Sequence, residues 1–286
     1  QFLTEDDAIR ALYVFNSNPA ATAPNQNKVH AGLARHDLFV AVHDIFMSDT
    51  AQRANLVLPA CTQSEQWDVH RSYWHDYAQI NRPAIAPIGE ARPNHWVFGH
   101  IAQAMGFEES CFRESEEETL RSLLVGTELD FDALAAGPLP CQPVEQTSFA
   151  ERRFPTPSGK LELITPSYTP AAVDGDHRYR FITPKSRHLQ SSQLFNVARK
   201  QAGVREPILY LHPEDGALEG IADGTPVRVW NSRGEVALVA RLSTDVQPGL
   251  VASYMVRWGP NANATTPDTP ADMGGNSTFH TNFVSL

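Results

Sequence analysis

Two short polar segments carry residue types suited to gripping a nucleotide. Asn16-Ser17-Asn18-Pro19 follows the apolar run 11–15, and His43-Asp44-Ile45-Phe46-Met47-Ser48-Asp49-Thr50 follows the apolar run 38–42. Amides and hydroxyls in such places donate to phosphate oxygens, while a carboxylate such as Asp44 accepts from guanine or ribose donors. The pattern predicts a helix over residues 48–54, capped by Ser48 or Asp49, with free backbone N–H groups in its first turn to receive a phosphate. Asn, Ser and Asp are also ordinary turn and cap residues, so the pattern by itself leaves both readings open. Neither a G-x-G-x-x-G fingerprint nor a G-x-x-x-x-G-K-[ST] loop follows these runs, which argues against a simple NAD or P-loop site. Ser158-Gly159-Lys160 resembles a phosphate loop only superficially.

A second feature is charge. The chain carries a formal net charge of −10, which argues against a protein that tracks a nucleic-acid backbone, so no nucleic-acid partner is expected. Yet residues 177–205 hold seven Lys or Arg (Arg178, Arg180, Lys185, Arg187, Arg199, Lys200, Arg205) and no Asp or Glu. That segment reads either as a solvated basic face or as a site for a compact anion such as a pyrophosphate. Other constellations are weaker. His70 and His75 stand five apart, a poor spacing for two ligands on one helix face, and no H-E-x-x-H motif occurs. Cys61, Cys111 and Cys141 are widely spaced with no C-x-x-C pair, so they read as buried or idle thiols. Trp67, Tyr73, Trp74 and Trp96 are expected to pack or to line a cleft. No Ser, His and acid arrangement announces a hydrolase, and neither a catalytic residue nor a metal ligand is assigned.

The elements that must position these residues follow from periodicity. Apolar runs at 11–15, 38–42 and 56–58 alternate with helical patterns, the mark of βαβ units and a parallel sheet. Ligands bind beyond the carboxyl ends of such strands, where both polar segments lie. Further helices are expected at 96–105, stopped at Gly106, and at 114–124, with an acidic first turn that suits the helix dipole. Five prolines fall between residues 137 and 159, and Pro, Gly and Asp recur over 165–177, so the domain boundary is placed near residue 170. Beyond it, short β runs at 179–182, 208–211, 226–230, 235–241 and 250–254 fit a small barrel, with Gly234 supplying positive φ to the hairpin turn 231–234. The first residue is Gln1 and no signal pattern follows, so the N-terminus reads as trimmed. Cytoplasm is the default compartment, with periplasm left open. No apolar run is long enough for a membrane span.

Several segments resemble the C-terminal half of molybdopterin-guanine-dinucleotide oxidoreductases of the dimethyl-sulfoxide-reductase family. These are residues 9–19, 44–51 with 54–60, 89–93, 154–163, and 211–217 with 220–224 and 227–229, in the family's order. Asn55 stands where Asp is usual, Ser48-Asp49 where Thr-Glu is common, and Cys61 follows the leucine-proline segment. The resemblance implies a Rossmann-like open parallel-sheet domain over residues 1–170 and a double-psi type β barrel over residues 171–286. It implies that Asn16, Asn18, Asp44, Ser48, Asp49 and Thr50 face one nucleotide arm of a bis-molybdopterin guanine dinucleotide carrying molybdenum or tungsten. It also places Thr183, Arg187, His188, Ser191 and Ser192 in a loop near the pterins and Asn263 in a late polar loop.

The family's N-terminal half brings the metal ligand, the other nucleotide-binding domain and, where one exists, the iron–sulfur cluster. That half is therefore the expected partner, with a small-molecule substrate and an electron-transfer partner for the whole. This chain alone is expected to be inactive and to bind little or no cofactor. The alternative is a non-catalytic module of a respiratory complex that kept the fold and lost the cofactor. Asn16, Asp44, Thr50, His188 and Ser192 favour the cofactor-binding reading, because a scaffold needs no such polar set at strand ends.

Overall fold

The apolar runs at the start of the chain form the expected parallel sheet. In the computed structural model, residues 2–5, 9–141, 149–163, 177–202, 206–254, 258–271 and 274–286 are described. The boundary expected near residue 170 and Arg205 of the cationic segment lie outside the described residues. After a short α1 (Phe2–Glu5), β1 (Ala11–Phe15) pairs in parallel with β2 (Phe39–Asp44), Ala11 opposite Phe39 and Phe15 opposite His43. Between them lie α2 (Pro19–Thr22) and α3 (Gln26–Leu33), and β3 (Leu56–Pro59) completes the order β1-β2-β3. β2 is buried from Val40 to His43, as a strand covered on both faces must be. Its Val40 and Val42 pack with Val14, Ala20, Leu33, Leu38 and Ala51.

The helix expected over 48–54 is absent, and a single 3-10 turn, Ala51–Arg53, stands in its place. Tertiary bonding outweighs local preference here. Asn55 is drawn back to β2 by a pair of bonds, its N–H donating to the Val40 carbonyl at 2.8 Å and its Oδ1 accepting from the Val40 N–H at 2.7 Å. The chain is extended from Ala54 onward, leaving no room for a second helical turn.

The described chain divides into two compact units, Gln1–Leu58 with Pro170–Leu286, and Pro59–Thr169. The βαβ segment thus groups with the C-terminal barrel in one unit. In the second unit an antiparallel sheet of β4 (Asp68–Arg71), β5 (Tyr77–Asn81) and β6 (Leu139–Pro140) accompanies α4 (Asn94–Ala104), α5 (Glu116–Leu124) and α6 (Phe131–Ala136). Ala78 of β5 packs with Leu120, Leu124, Phe131 and Leu134. α5 begins at a capping box, Ser115 with Glu118, and α4 ends where Gly106 takes φ of 87°. Gly99 in α4 touches the 110–113 segment: a Cβ there would stand 2.7 Å from the Phe112 carbonyl oxygen. Contrary to expectation, Tyr73 and Trp74 neither pack nor line a cleft but stand in solvent, whereas Trp67 is half-buried beside Phe131.

The barrel contains β7 (Tyr179–Ile182), α7 (Ala198–Gln201), β8 (Ile208–Leu211), α8 (Pro213–Glu219), β9 (Pro226–Asn231), β10 (Gly234–Leu242), β11 (Leu250–Ala252) and β12 (Phe283–Val284). The order β12-β7-β11-β8-β10-β9 mixes parallel pairs, β7 with β11 and β8 with β10, among antiparallel ones. Trp230 and Ser285 exchange backbone bonds of 3.0 and 2.9 Å, which nearly closes the sheet on itself. Inside lie Tyr179, Phe181, Leu209, Leu211, Val229, Leu238 and Val251, and along β9 buried residues alternate with exposed ones. Gly234 does not supply positive φ to the hairpin. It is needed for space, since a Cβ would lie 3.0 Å from the Ala264 carbonyl oxygen and against the Asn27 amide. Among the described residues no helix is long and apolar enough to cross a membrane.

Gly99→Ala should test the packing of α4. Alanine raises helix propensity by about 1 kcal/mol, yet the clash with Phe112 is expected to lower the stability of the second unit by about 1–3 kcal/mol net. Denaturant unfolding followed by hydrogen exchange in α4 measures it, and a stabilised variant would contradict the close approach.

Candidate functional site

The turns after β1 and β2 are fastened to each other. Asn18 is buried, and its Oδ1 accepts from both the N–H and the Oγ1–H of Thr50, at 3.1 and 2.8 Å. The Thr50 Oγ1 in turn accepts from the Ala20 N–H at 3.0 Å. Asp44 Oδ2 accepts from the Ser48 hydroxyl at 2.7 Å, so these two residues shape the turn they belong to. Asn16 is exposed at the end of β1 with φ of 50°, a conformation asparagine tolerates better than most residues.

The barrel reaches the same turns through its late loop. The Asp49 Oδ1 accepts from the Gly259 N–H at 2.8 Å, while the neighbouring Trp258 donates its Nε1–H to the Ser192 carbonyl at 2.9 Å. Two consecutive residues thus tie the Asp49 turn to the loop that follows β7. Asn263 is buried and donates its amide to the Ala21 carbonyl at 3.0 Å, so it braces α2. Ser191 takes φ of 52° and Thr183 is buried at the end of β7. Arg187 and His188 contact each other, Nε to Nε2 at 3.2 Å, and the His188 N–H donates to Ser186 Oγ. Among the described residues, neither Arg187 nor His188 hydrogen-bonds to the β1 and β2 turns.

Three buried polar atoms here have no hydrogen-bond partner among the described residues: Asn18 Nδ2, Asp49 Oδ2 and Thr183 Oγ1. Leaving such an atom unpaired costs about 1–3 kcal/mol, and unpaired groups of this kind mark places where a further partner belongs. The set offers an amide donor, a carboxylate acceptor and a hydroxyl. Charge is present as well. Arg178 approaches Glu219 at 3.9 Å and Arg180 donates to the His280 carbonyl, but Lys185, Arg187, Arg199 and Lys200 form no ion pair among the described residues. Donors, an acceptor and unneutralised cations suit a nucleotide diphosphate. Among the described residues, no group of three or more His, Cys, Asp or Glu is arranged to hold a metal.

Sequence reasoning passed over the residues that make this assembly possible. Gln26 is buried and donates to the Ala20 carbonyl at 2.9 Å and the Gly259 carbonyl at 3.0 Å, and Asn261 donates to the Ala21 carbonyl at 3.1 Å. Their partners lie more than 230 positions away in two of these three bonds, and no local pattern signals such pairing.

Comparison with known proteins gives a consistent picture. The sequence profile of the molydopterin dinucleotide binding domain matches residues 179–283, and that of molybdopterin oxidoreductase matches residues 3–104. The chain is 36% identical to the probable oxidoreductase YoaE of Bacillus subtilis, over 99% of this chain and 45% of that protein. It is 28% identical to the biotin sulfoxide reductase of Cereibacter sphaeroides, over 91% of this chain and 40% of that protein. The chain thus spans less than half the length of these curated relatives. The acetylene hydratase of Pelobacter acetylenicus superposes with a TM-score of 0.81 over 99% of this chain and 45% of its own, at 18% identity, a likeness of fold alone.

Thr50→Val keeps the shape of a fully buried side chain but removes the hydroxyl that links Asn18 to Ala20. It is expected to destabilise the first unit by about 1–3 kcal/mol. A urea titration that shows no loss would mean that the junction of the two turns does not depend on this hydroxyl.

Proposed function

Because the chain belongs to the molybdopterin oxidoreductase family, as a C-terminal portion, we propose that it forms one side of the cage around a bis-molybdopterin guanine dinucleotide. The metal it carries is molybdenum or tungsten, and the reaction belongs to a longer polypeptide. When bound, that group supplies two-electron redox or oxygen-atom transfer chemistry at its metal. What this chain's own residues do is bind and orient.

The observation that carries the reading is the pair of unpaired buried atoms, Asn18 Nδ2 and Asp49 Oδ2, at the junction of the β1 and β2 turns with the barrel, with a third, Thr183 Oγ1, at the end of β7. Asp49 Oδ2 suits the N–H donors of a guanine base, and Asn18 Nδ2 and Thr183 Oγ1 suit phosphate or pterin oxygens. Lys185, Arg187, Arg199 and Lys200 offset the charge of two pyrophosphate arms. His188, Ser191 and Ser192 line the same loop, and Asn16, Asp44, Ser48, Thr50 and Asn263 set the shape of the turns against it. A scaffold that had discarded its cofactor gains nothing from leaving these atoms unpaired, which supports cofactor binding over the structural-module alternative.

The metal ligand, an iron–sulfur cluster where one exists, the second nucleotide-binding domain and the contacts to substrate and electron donor belong to the part of the longer protein outside these 286 residues. Two expectations follow for the laboratory. The 286-residue chain should not turn over S-oxides, N-oxides or nitrate with reduced viologen, and metal-dependent turnover by the purified chain would defeat the proposal. In the longer polypeptide, the double change Arg187→Ala and His188→Ala should lower molybdenum and pterin content severalfold while circular dichroism stays unchanged. Full cofactor content in a folded double variant would remove this loop from the site.

A further inference from the structure

The hairpin between β4 and β5 ends in a tip that nothing covers. Tyr73 and Trp74 are 104% and 94% exposed, more than any other large hydrophobic side chain among the described residues. A soluble protein rarely leaves two adjacent aromatic rings wholly in water without a use for them. The tip is nonetheless ordered by its own bonds. The Trp74 N–H donates to Ser72 Oγ at 3.0 Å, and the Tyr77 N–H donates to His75 Nδ1 at 3.2 Å, with the two rings edge to face at 6.0 Å. Below it, the Cys141 N–H donates to the Asp76 carbonyl at 2.7 Å and Tyr77 pairs with Pro140 across β5 and β6. The rings are therefore presented on a pre-formed turn, which lowers the entropy lost when they are covered.

We propose that this tip is a docking point for the region of the longer polypeptide that lies outside these residues, an inference that rests on the reading under Proposed function. The relatives matched at 36% and 28% identity contain more than twice this length, so a large further region is available as the occupant. The tip lies inside residues 3–104, the segment that matches the family profile. Its charged surroundings, Asp68, Arg71 and Asp76, are mixed in sign, which fits a protein surface and lacks the basic cluster that an anionic membrane attracts. A net charge of −10 opposes stacking of two copies of this chain. Trp and Tyr are the side chains that most often anchor a protein contact, through large rigid area and one polar atom each.

The test compares the 286-residue chain with the longest polypeptide that its gene encodes. Iodide quenching is measured for each and for its Trp74→Phe variant, so that the difference isolates Trp74 from the other tryptophans. Trp74 should be open to iodide in the 286-residue chain and roughly tenfold less accessible in the longer polypeptide, as for a desolvated anchor. A second measurement guards against indirect effects. Tyr73→Ser with Trp74→Ser should lower the unfolding temperature of the longer polypeptide by several degrees and leave that of the 286-residue chain unchanged. Equal accessibility in both forms overturns the proposal. Protection that grows with the concentration of the 286-residue chain also overturns it and assigns the tip to a second copy, and so does a gene that encodes nothing longer. Molybdenum and pterin content of the longer polypeptide is read separately. Full content with an exposed Trp74 rejects the docking point alone, whereas protection of Trp74 without cofactor rejects the functional reading and keeps the contact.

Discussion

A four-residue helix cannot satisfy its own carbonyls, and much of the first unit follows from where α2 finds donors for them. Ala20 receives the Gln26 amide and the His30 ring, and Ala21 receives the amides of Asn261 and Asn263. Gln26 donates onward to Gly259, whose own N–H goes to Asp49. One short helix end thereby fixes α3, the late loop and the β2 turn together. The burial of these amides makes the arrangement all-or-none, since removing one donor strands a carbonyl away from water at a cost of about 1–3 kcal/mol.

This stitching explains why the compact units are not consecutive halves. The sheet β1-β2-β3 has only three strands, too few to form an extensive core by itself, and its turns find their partners in the barrel's late loop. Asn25 and Lys28 extend the attachment to Asp268, and the Asn25 N–H donates to the Thr266 carbonyl. The second unit instead has a core of its own around Ala78, Leu120 and Phe131.

The candidate site shows what rigid support leaves over. Thr50, Ser48 and Asn263 use their polar atoms in holding backbone and neighbouring side chains, so their contribution is shape. Asn18 and Asp49 divide the task, one atom of each bonded within the protein and the other unpaired. A group held at one end and open at the other is pre-organised, which lowers the cost of ligand binding. The cations of the loop after β7 lack neighbouring carboxylates among the described residues, so their charge is available at short range instead of being neutralised within the fold.

These strands were legible as a matter of local patterning: the contiguous apolar runs at residues 11–15, 38–42 and 56–58, and the barrel runs from 179 onward. The helix stop at Gly106 was legible for the same reason, as helix termination is a matter of a few neighbouring residues, whereas the helix expected from residue 114 begins at Glu116, capped by Ser115. The polar segments after β1 and β2 were identifiable as strand-end residues, and the family resemblance rests on strings that tolerate substitution. The helix over 48–54 failed because Asn55 and Thr50 bond to β2 and Asn18, which propensity cannot foresee. Gly234 was noticed for the wrong property, its turn, when the reason is the nearness of Ala264. Only the tertiary structure decided which atoms of Asn18, Asp49 and Thr183 are unpaired, and that Gln26 and Asn261 matter at all. Local sequence encodes local geometry, whereas these bonds join segments far apart in the chain, where chain folding alone sets the distance.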